Sequence, residues 1–267
     1  MNEGWIPEGV DPSTPSKARV YDVHLGGTHN YESDRLVAAQ VVARLPELPT
    51  LLRANRAFLR RAVQHLVDLG IRQFLDLGSG IPTVGNVHDV AQHANPDCRV
   101  VYVDIDPAAV AYSQAILAGN PWASAVLGDL TLPDAVLHNR EIRDLLDLSQ
   151  PIALLMVAVL HFQPDTAGCA AIVREYTSAL APGSYLVMSH AASAGRAIDR
   201  VRDAAEVFSA NVGGFYLRSQ EEVASMFGDL RFVRPGLVNM SEWHPDPDDP
   251  TPSADMHHGY AGIARVN

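Results

Sequence analysis

The chain has 267 residues, 47% hydrophobic and 19% charged, with 20 basic against 31 acidic side chains and a formal net charge of −11. That composition excludes a disordered tail, a collagen-like fibre and a coiled-coil rod, and the acidic balance disfavours nucleic acid as the main partner. The length points to one large domain, or one with an appendage, able to bury a full core without staples.

In chain order, Pro7, Pro12 and Pro15 break up the first sixteen residues, which read as an extended, poorly ordered arm. Residues 16–35 mix aromatic, His and Gly-Gly elements with no clean period, while 33–44 and 53–69 read as helices. The second of these places Phe58, Ala62, Val63, Leu66 and Leu69 on one apolar stripe and stops at Gly70. Arg53, Arg56, Arg60 and Arg61 look like one basic face of that helix, too small for a phosphate track. From Gly70 short apolar runs alternate with helices. Strands are expected at Arg72–Leu77, Arg99–Val103, Ala125–Leu127, Ile152–Leu160 and Tyr185–Ser189. Asp106 with Pro107 predicts a capped helix to about Leu117, residues 167–180 a further helix, and Ser219 with Glu222 a capping box for one ending near Phe227. Residues 231–238 and 259–266 read as two last strands joined by the acidic loop that starts at Asp246. The alternation defines an α/β fold, a mostly parallel sheet with helices on both faces.

Two cysteines, Cys98 and Cys169, allow at most one bridge, and a reduced setting is the simpler expectation. The first five residues lack the basic start and apolar centre of a signal peptide. The longest apolar run, Ile152–Leu160, has nine residues, against about 20 for a membrane-spanning helix. The expected location is therefore the cytoplasm, with no membrane partner.

In an open parallel sheet a ligand sits beyond the carboxyl ends of the strands. The residues expected to gather there are Asp76 to Pro82, Asp104 to Asp106, Asp129, His161 and His190. The first loop, Asp76-Leu77-Gly78-Ser79-Gly80, brings glycine backbone close to a ligand, but Thr83 stands where a dinucleotide fingerprint needs a third glycine. Asp76 suits a cationic amine and not a pyrophosphate. Asp104 lies 24 residues after Gly80, near the offset of a ribose-binding acid, and Asp129 is placed to accept from an adenine amino group. Asp106 is the competing candidate for the ribose, but its helix-capping role explains it without a ligand; read alone, the first loop also suits a tight strand-to-helix turn, and Asp129 a solvated loop acid. Together Asp76, Asp104 and Asp129 describe a nucleoside with a positively charged tail, as in S-adenosylmethionine.

Gly70–Asp129 resembles the cofactor half of a class I methyltransferase. More narrowly, the strings ARVYDVHLGGTHNY, RANRAFLRRAV, GIRQFLDLGSGIPT, RVVYVDIDP, LHFQPD, LAPGSYLVMSHA and YAGIAR, which span most of residues 16–265, are similar to an actinobacterial family of S-adenosylmethionine-dependent methyltransferases long catalogued as a domain of unknown function. The resemblance implies a Rossmann-like, seven-stranded sheet with an antiparallel last hairpin. It also implies cofactor contacts at Gly78 and Gly80, ribose binding by Asp104, adenine packing by Ile105, and an adenine edge lined by Asp129 and Leu130. Ser79 and Val159 complete the expected cofactor set. The chain departs from the usual loop at Pro82, where relatives carry a further glycine, and the next helix is expected from about Asn86.

On the acceptor side, His161 is the candidate general base, with an orienting or core role as the alternative; His190 is a weaker candidate. Residues 1–69 are expected to form an N-terminal arm and helical lid over a methyltransferase domain at 70–267, with Tyr21 touching the cofactor. Residues 191–218 are a candidate second cover. His257-His258 reads as surface loop, and no metal is expected. The leading reading is a methyltransferase for a small-molecule acceptor. Its rivals are a non-catalytic S-adenosylmethionine-binding sensor and an NAD-type oxidoreductase.

Overall fold

The computed structural model describes residues 6–82, 85–195, 197–246 and 259–267. His257, His258 and most of the acidic loop lie outside that range. Strands β1 (Gln73–Leu77), β2 (Arg99–Asp104), β3 (Ala123–Leu127), β4 (Ala153–Val157) and β5 (Tyr185–Ala191) run parallel. The strand β8 (Gly259–Arg265) returns antiparallel beside β5. Its other edge carries two short strands, β6 (Arg231–Phe232) and β7 (Val238–Asn239). The order is β3-β2-β1-β4-β5-β8-β6, with β7 also on β8. The described residues thus hold eight strands against the seven expected, with the mostly parallel order and the antiparallel last strands as expected. The 231–238 segment is split at Arg234-Pro235-Gly236, where proline offers no N–H to a ladder and Gly236 turns at φ +101°.

Strand side chains alternate between the faces. Leu75, Leu77, Val101, Val103, Leu154, Met156, Leu186 and Met188 pack on one side with Ile142, Val173, Tyr176 and Val223. Phe74, Val100, Tyr102, Ala153, Leu155, Val187 and Ile263 pack on the other with Phe58, Leu66, Val87 and Ala91. The continuous apolar run in β4 is the sequence trace of this double burial. It ends sooner than expected: Ala158 takes φ +55°, and a 3-10 turn over Leu160–Phe162 carries His161 out of the sheet.

The helices are α1 (Lys17–His24), α2 (Glu32–Arg44), α3 (Leu48–Asp68), α4 (Val87–Ala94), α5 (Pro107–Ile116), α6 (Pro133–Leu137), α7 (Arg140–Leu145), α8 (Thr166–Ser178), α9 (Ile198–Val212) and α10 (Gln220–Met226). Asp106 caps α5 by accepting from Ala108 N at 2.8 Å, and Ser219 and Glu222 exchange both bonds of the capping box. On α3 the basic residues do not share a face. Arg61 turns inward, donating to the Trp243 and Met240 carbonyls at 2.9 Å, while Arg53 and Arg60 stay outside. Leu69, placed on the stripe by periodicity, ends the helix 51% exposed.

The helix α1 escaped the periodicity reading because four polar or charged positions interrupt it, and three of them are buried: Arg19, Asp22 and His24. Hydrogen bonds support the burial of Arg19 and Asp22, whereas His24 Nε2 has no partner among the described residues. Arg19 Nε pairs with Asp34 Oδ2 at 2.8 Å, and Asp34 also accepts from Ser16 N and Tyr31 N at 3.0 and 2.8 Å. Asp22 accepts from His29 N and Asn30 Nδ2 at 2.9 and 2.8 Å. A separate apolar cluster joins Val20 of α1, Val37 and Val41 of α2, Leu51 of α3, and Val201 and Ala204 of α9. Thus α1, α2, the start of α3 and α9 share one apolar cluster, while the rest of α3 packs on the sheet. Tyr31 and Tyr112 hydroxyls, 2.8 Å apart, tie the start of α2 to α5.

Candidate active site

A cavity of about 610 Å³ opens at the carboxyl ends of β1, β2 and β4, where strand order switches. Tyr21, Asp76, Gly78, Ser79, Gly80, Asp104, Ile105, Asp129, Leu130 and Val159 all line it. The first-loop glycines have distinct reasons. Gly78 sits at φ +70° with Val159 pressed against it, so that an added Cβ would lie 2.1 Å from Val159 Cγ2. Gly80, at φ +64°, faces open space, which leaves its backbone accessible.

Asp104 organises this rim. Its Oδ2 accepts from Gly80 N at 2.7 Å and its Oδ1 from Asp106 N at 2.9 Å, tying the β1 loop to the β2 end. Each carboxylate oxygen retains a lone pair for a ligand. Burial pushes the Asp104 carboxyl above the ordinary carboxylate range, against the pull of those amides. Asp76 is buried and receives no hydrogen bond from the described residues. Burial raises it to about 7, with the Arg56 guanidinium opposing and Asp104 adding to the rise. Asp129 Oδ1 takes both the amide and the hydroxyl of Thr131, at 2.8 and 2.7 Å, leaving Oδ2 for a ligand. Ile105 is apolar yet 65% exposed at the rim. An exposed apolar face, two carboxylates with spare acceptor capacity and a buried carboxylate that lacks a donor fit a nucleoside with an amine-bearing tail. A diphosphate would meet three acids.

Val10, Asp11, Thr14 and Lys17 line the opposite wall, so the arm forms part of the cavity. Asp11 accepts from Ser13 N at 2.9 Å in a tight turn.

His161 does not line this cavity. It lines a second one, of about 130 Å³, with His24, His190, Phe208 and Phe215. Its ring lies 4.4 Å from those of Phe162 and Phe215, and its buried Nδ1 has no partner among the described residues. Burial, with His190, Lys17 and Arg218 adding, holds its imidazole well below the usual histidine range. Its neutral ring can accept a hydrogen bond or a proton, although burial weakens it as a base. The two cavities meet at Lys17, Tyr21, Asn55, Ala158 and Phe162.

Periodicity and motif reading missed Lys17, Asn55 and Arg56. Asn55 carried a readable signal: a polar side chain three residues before Phe58, on the buried side of α3. It donates to Tyr21 Oη at 3.1 Å and accepts from Ser189 Oγ at 2.6 Å, and Ser189 Oγ in turn accepts from Ala158 N at 3.0 Å.

A family model described as S-adenosyl methyltransferase matches residues 3–267, and the chain belongs to that family. It is an S-adenosylmethionine-dependent methyltransferase. A Thermobifida fusca YX protein described as a methyltransferase is 41% identical, with 98% of this chain and 99% of that one covered and a TM-score of 0.92. A DUF574 family protein from Streptomyces avermitilis MA-4680 is 37% identical, with 96% and 99% covered and a TM-score of 0.91. The N-methyltransferase NodS from Bradyrhizobium japonicum WM9, in complex with S-adenosyl-L-homocysteine, shares the fold at 16% identity, with 93% and 98% covered and a TM-score of 0.51. No curated protein matches the chain. The family excludes the oxidoreductase alternative. Among the described residues no helix is long and apolar enough to cross a membrane, and no three His, Cys, Asp or Glu side chains cluster as a metal site.

Proposed function

We propose that the larger cavity holds S-adenosylmethionine, that the smaller one receives a small-molecule methyl acceptor, and that residues 1–69 serve as the lid of the methyltransferase unit 70–267. The observation that carries this reading is the junction of the two cavities at Lys17, Tyr21, Asn55, Ala158 and Phe162. When bound, S-adenosylmethionine supplies a methyl carbon on a sulfonium, from which a nucleophile displaces neutral thioether sulfur. The chain's task is to hold, align and dry the reactants.

In this reading Asp104 accepts from the ribose hydroxyls and Ile105 covers one adenine face. Asp129 Oδ2 accepts from the amino group beside Leu130, and Asp76 pairs with the amine of the methionine end. Gly78, Ser79 and Gly80 bring backbone close, with Val159 as the prop behind Gly78. The Tyr21 ring offers a π face to the sulfonium, worth about 0.5–2 kcal/mol. His161 orients the acceptor and accepts its hydrogen bond or proton. The free, buried thiols of Cys98 and Cys169 support a reduced, cytoplasmic setting.

The Asp76 pairing has a signed pH dependence. Its carboxyl, raised to about 7 by burial, is largely protonated at lower pH, so an ammonium must displace that proton in order to bind. Affinity for S-adenosylhomocysteine is expected to climb by up to about tenfold per pH unit below neutrality and to flatten above it. Calorimetry should register proton release, and Asp76→Asn should abolish the slope; a flat wild-type profile refutes the pairing.

His161→Ala tests the acceptor side. Labelled methyl transfer into a metabolite extract should fall about 100-fold, with S-adenosylhomocysteine affinity kept within about twofold. Equal loss of both would assign His161 to the core instead.

A further inference from the structure

The smaller cavity has a sign. Among the described residues no aspartate or glutamate lines it, in a chain whose net charge is −11. Its walls are aliphatic and aromatic, with Phe162, Phe208 and Phe215 meeting at ring distances of 5.6–6.0 Å. Two cations bear on it. Lys17, half-buried at the junction with the cofactor cavity, places Nζ 4.5 Å from the centre of the Phe162 ring, and no carboxylate pairs with it among the described residues. Arg218 lies behind the wall, 2% exposed, and its four partners are all neutral: Thr166 Oγ1, His190 Nε2 and the carbonyls of Leu160 and Gln163.

The histidines that face the cavity add no charge of their own. His24 and His190 are held near 4, in both cases chiefly by burial, and are neutral at physiological pH. A cationic amine entering here would lose its hydration and find no counter-charge, which is costly in an apolar site. An anion would find Lys17. Size narrows the body that carries it: a dry apolar cavity of roughly 150 Å³ accommodates a benzene ring, and this one is about 130 Å³.

We propose that the acceptor is a single-ring, phenol-type oxygen acid, bound as its anion with the oxygen against Lys17 at the junction of the two cavities. The proposal rests on the two-cavity reading given above. The step balances without a strong protein base. The hydroxyl proton leaves to solvent as the acceptor binds, and the oxyanion lone pair becomes the new O–CH₃ bond. The electron pair of the broken S–CH₃ bond stays on sulfur, so one negative and one positive charge yield two neutral products. This gives the weakly basic His161 an orienting part, with Lys17 stabilising the nucleophile.

The experiment uses the full chain saturated with S-adenosylhomocysteine and titrated with 4-nitrophenol, whose anion is coloured and whose neutral form is not. Wild type should bind it as the coloured anion even in buffer more acidic than the free phenol's midpoint, and benzylamine should not displace it. Lys17→Met should weaken that binding by about tenfold or more and lose the colour shift, while Lys17→Arg, which keeps the charge, should retain the colour. The proposal is overturned by uncoloured binding to wild type, by no binding of 4-nitrophenol, by displacement with benzylamine, or by a Lys17→Met chain that still binds the anion as wild type does. Failure of S-adenosylhomocysteine to bind in the first place would instead remove the cofactor assignment beneath it, and the two failures are read in separate titrations.

Discussion

Exchanging Arg19 for alanine will loosen the N-terminal cover by about 3–5 kcal/mol, because it strands a buried carboxylate. Arg19 and Asp34 side chains are 4% and 0% exposed, and their 2.8 Å contact joins α1 to α2 across fifteen residues of chain. The guanidinium also donates to the Thr14 carbonyl and lies 5.1 Å from the Tyr31 ring centre, so one deletion frees the arm, the cap of α2 and the stacking face together. Because Asp11, Thr14, Lys17 and Tyr21 line the large cavity, the damage should extend to the ligand: weaker S-adenosylhomocysteine binding, and faster proteolysis within residues 6–30. Denaturant unfolding and limited proteolysis check both. A variant with an unaltered midpoint and digestion pattern would show that the ion pair does not hold the cover.

Asp104→Ala carries the second large effect. Loss of charged hydrogen bonds to the ribose hydroxyls should cost about 1–3 kcal/mol, a drop of roughly 5- to 150-fold in affinity. The same carboxylate holds Gly80 N at 2.7 Å and Asp106 N at 2.9 Å, so alanine also releases the first loop from the β2 end. Asp104→Asn separates the two contributions: its carbonyl keeps one amide partner, and its affinity should fall between wild type and alanine. Folded variants that bind S-adenosylhomocysteine as tightly as wild type would remove Asp104 from the site.

The acids at the strand ends were legible because strand termini announce themselves. A β-branched run closed by Asp and followed by Asp-Pro fixes both the end of β2 and the start of α5, and topology then dictates where Asp104 points. What stayed hidden is polar and long-range. The helix α1 buries Arg19, Asp22 and His24 beside Val20, and its partners lie fifteen residues away at Asp34, thirty-four away at Asn55 and farther still on α9, which no periodicity reports. Lys17 lies in a stretch with no clean period and carries no signal until the fold brings Phe162 beneath it. The continuous apolar run at 152–160 gave no warning that Ala158 would turn out of the sheet, since that bend is held by the Ser189 hydroxyl from the neighbouring strand. His161 consequently faces the smaller cavity and not the larger.

The hydrogen-bonded chain from Ala158 through Ser189 and Asn55 to Tyr21 has a direction. Ser189 spends its hydrogen on the Asn55 oxygen, so the Asn55 nitrogen must face Tyr21 as a donor. Tyr21, already supplied with a hydrogen on its oxygen, keeps its own to give. The partition between the two cavities therefore offers a proton-rich edge, suited to a ligand's oxygen lone pairs, and reversing the amide of one asparagine would invert that polarity.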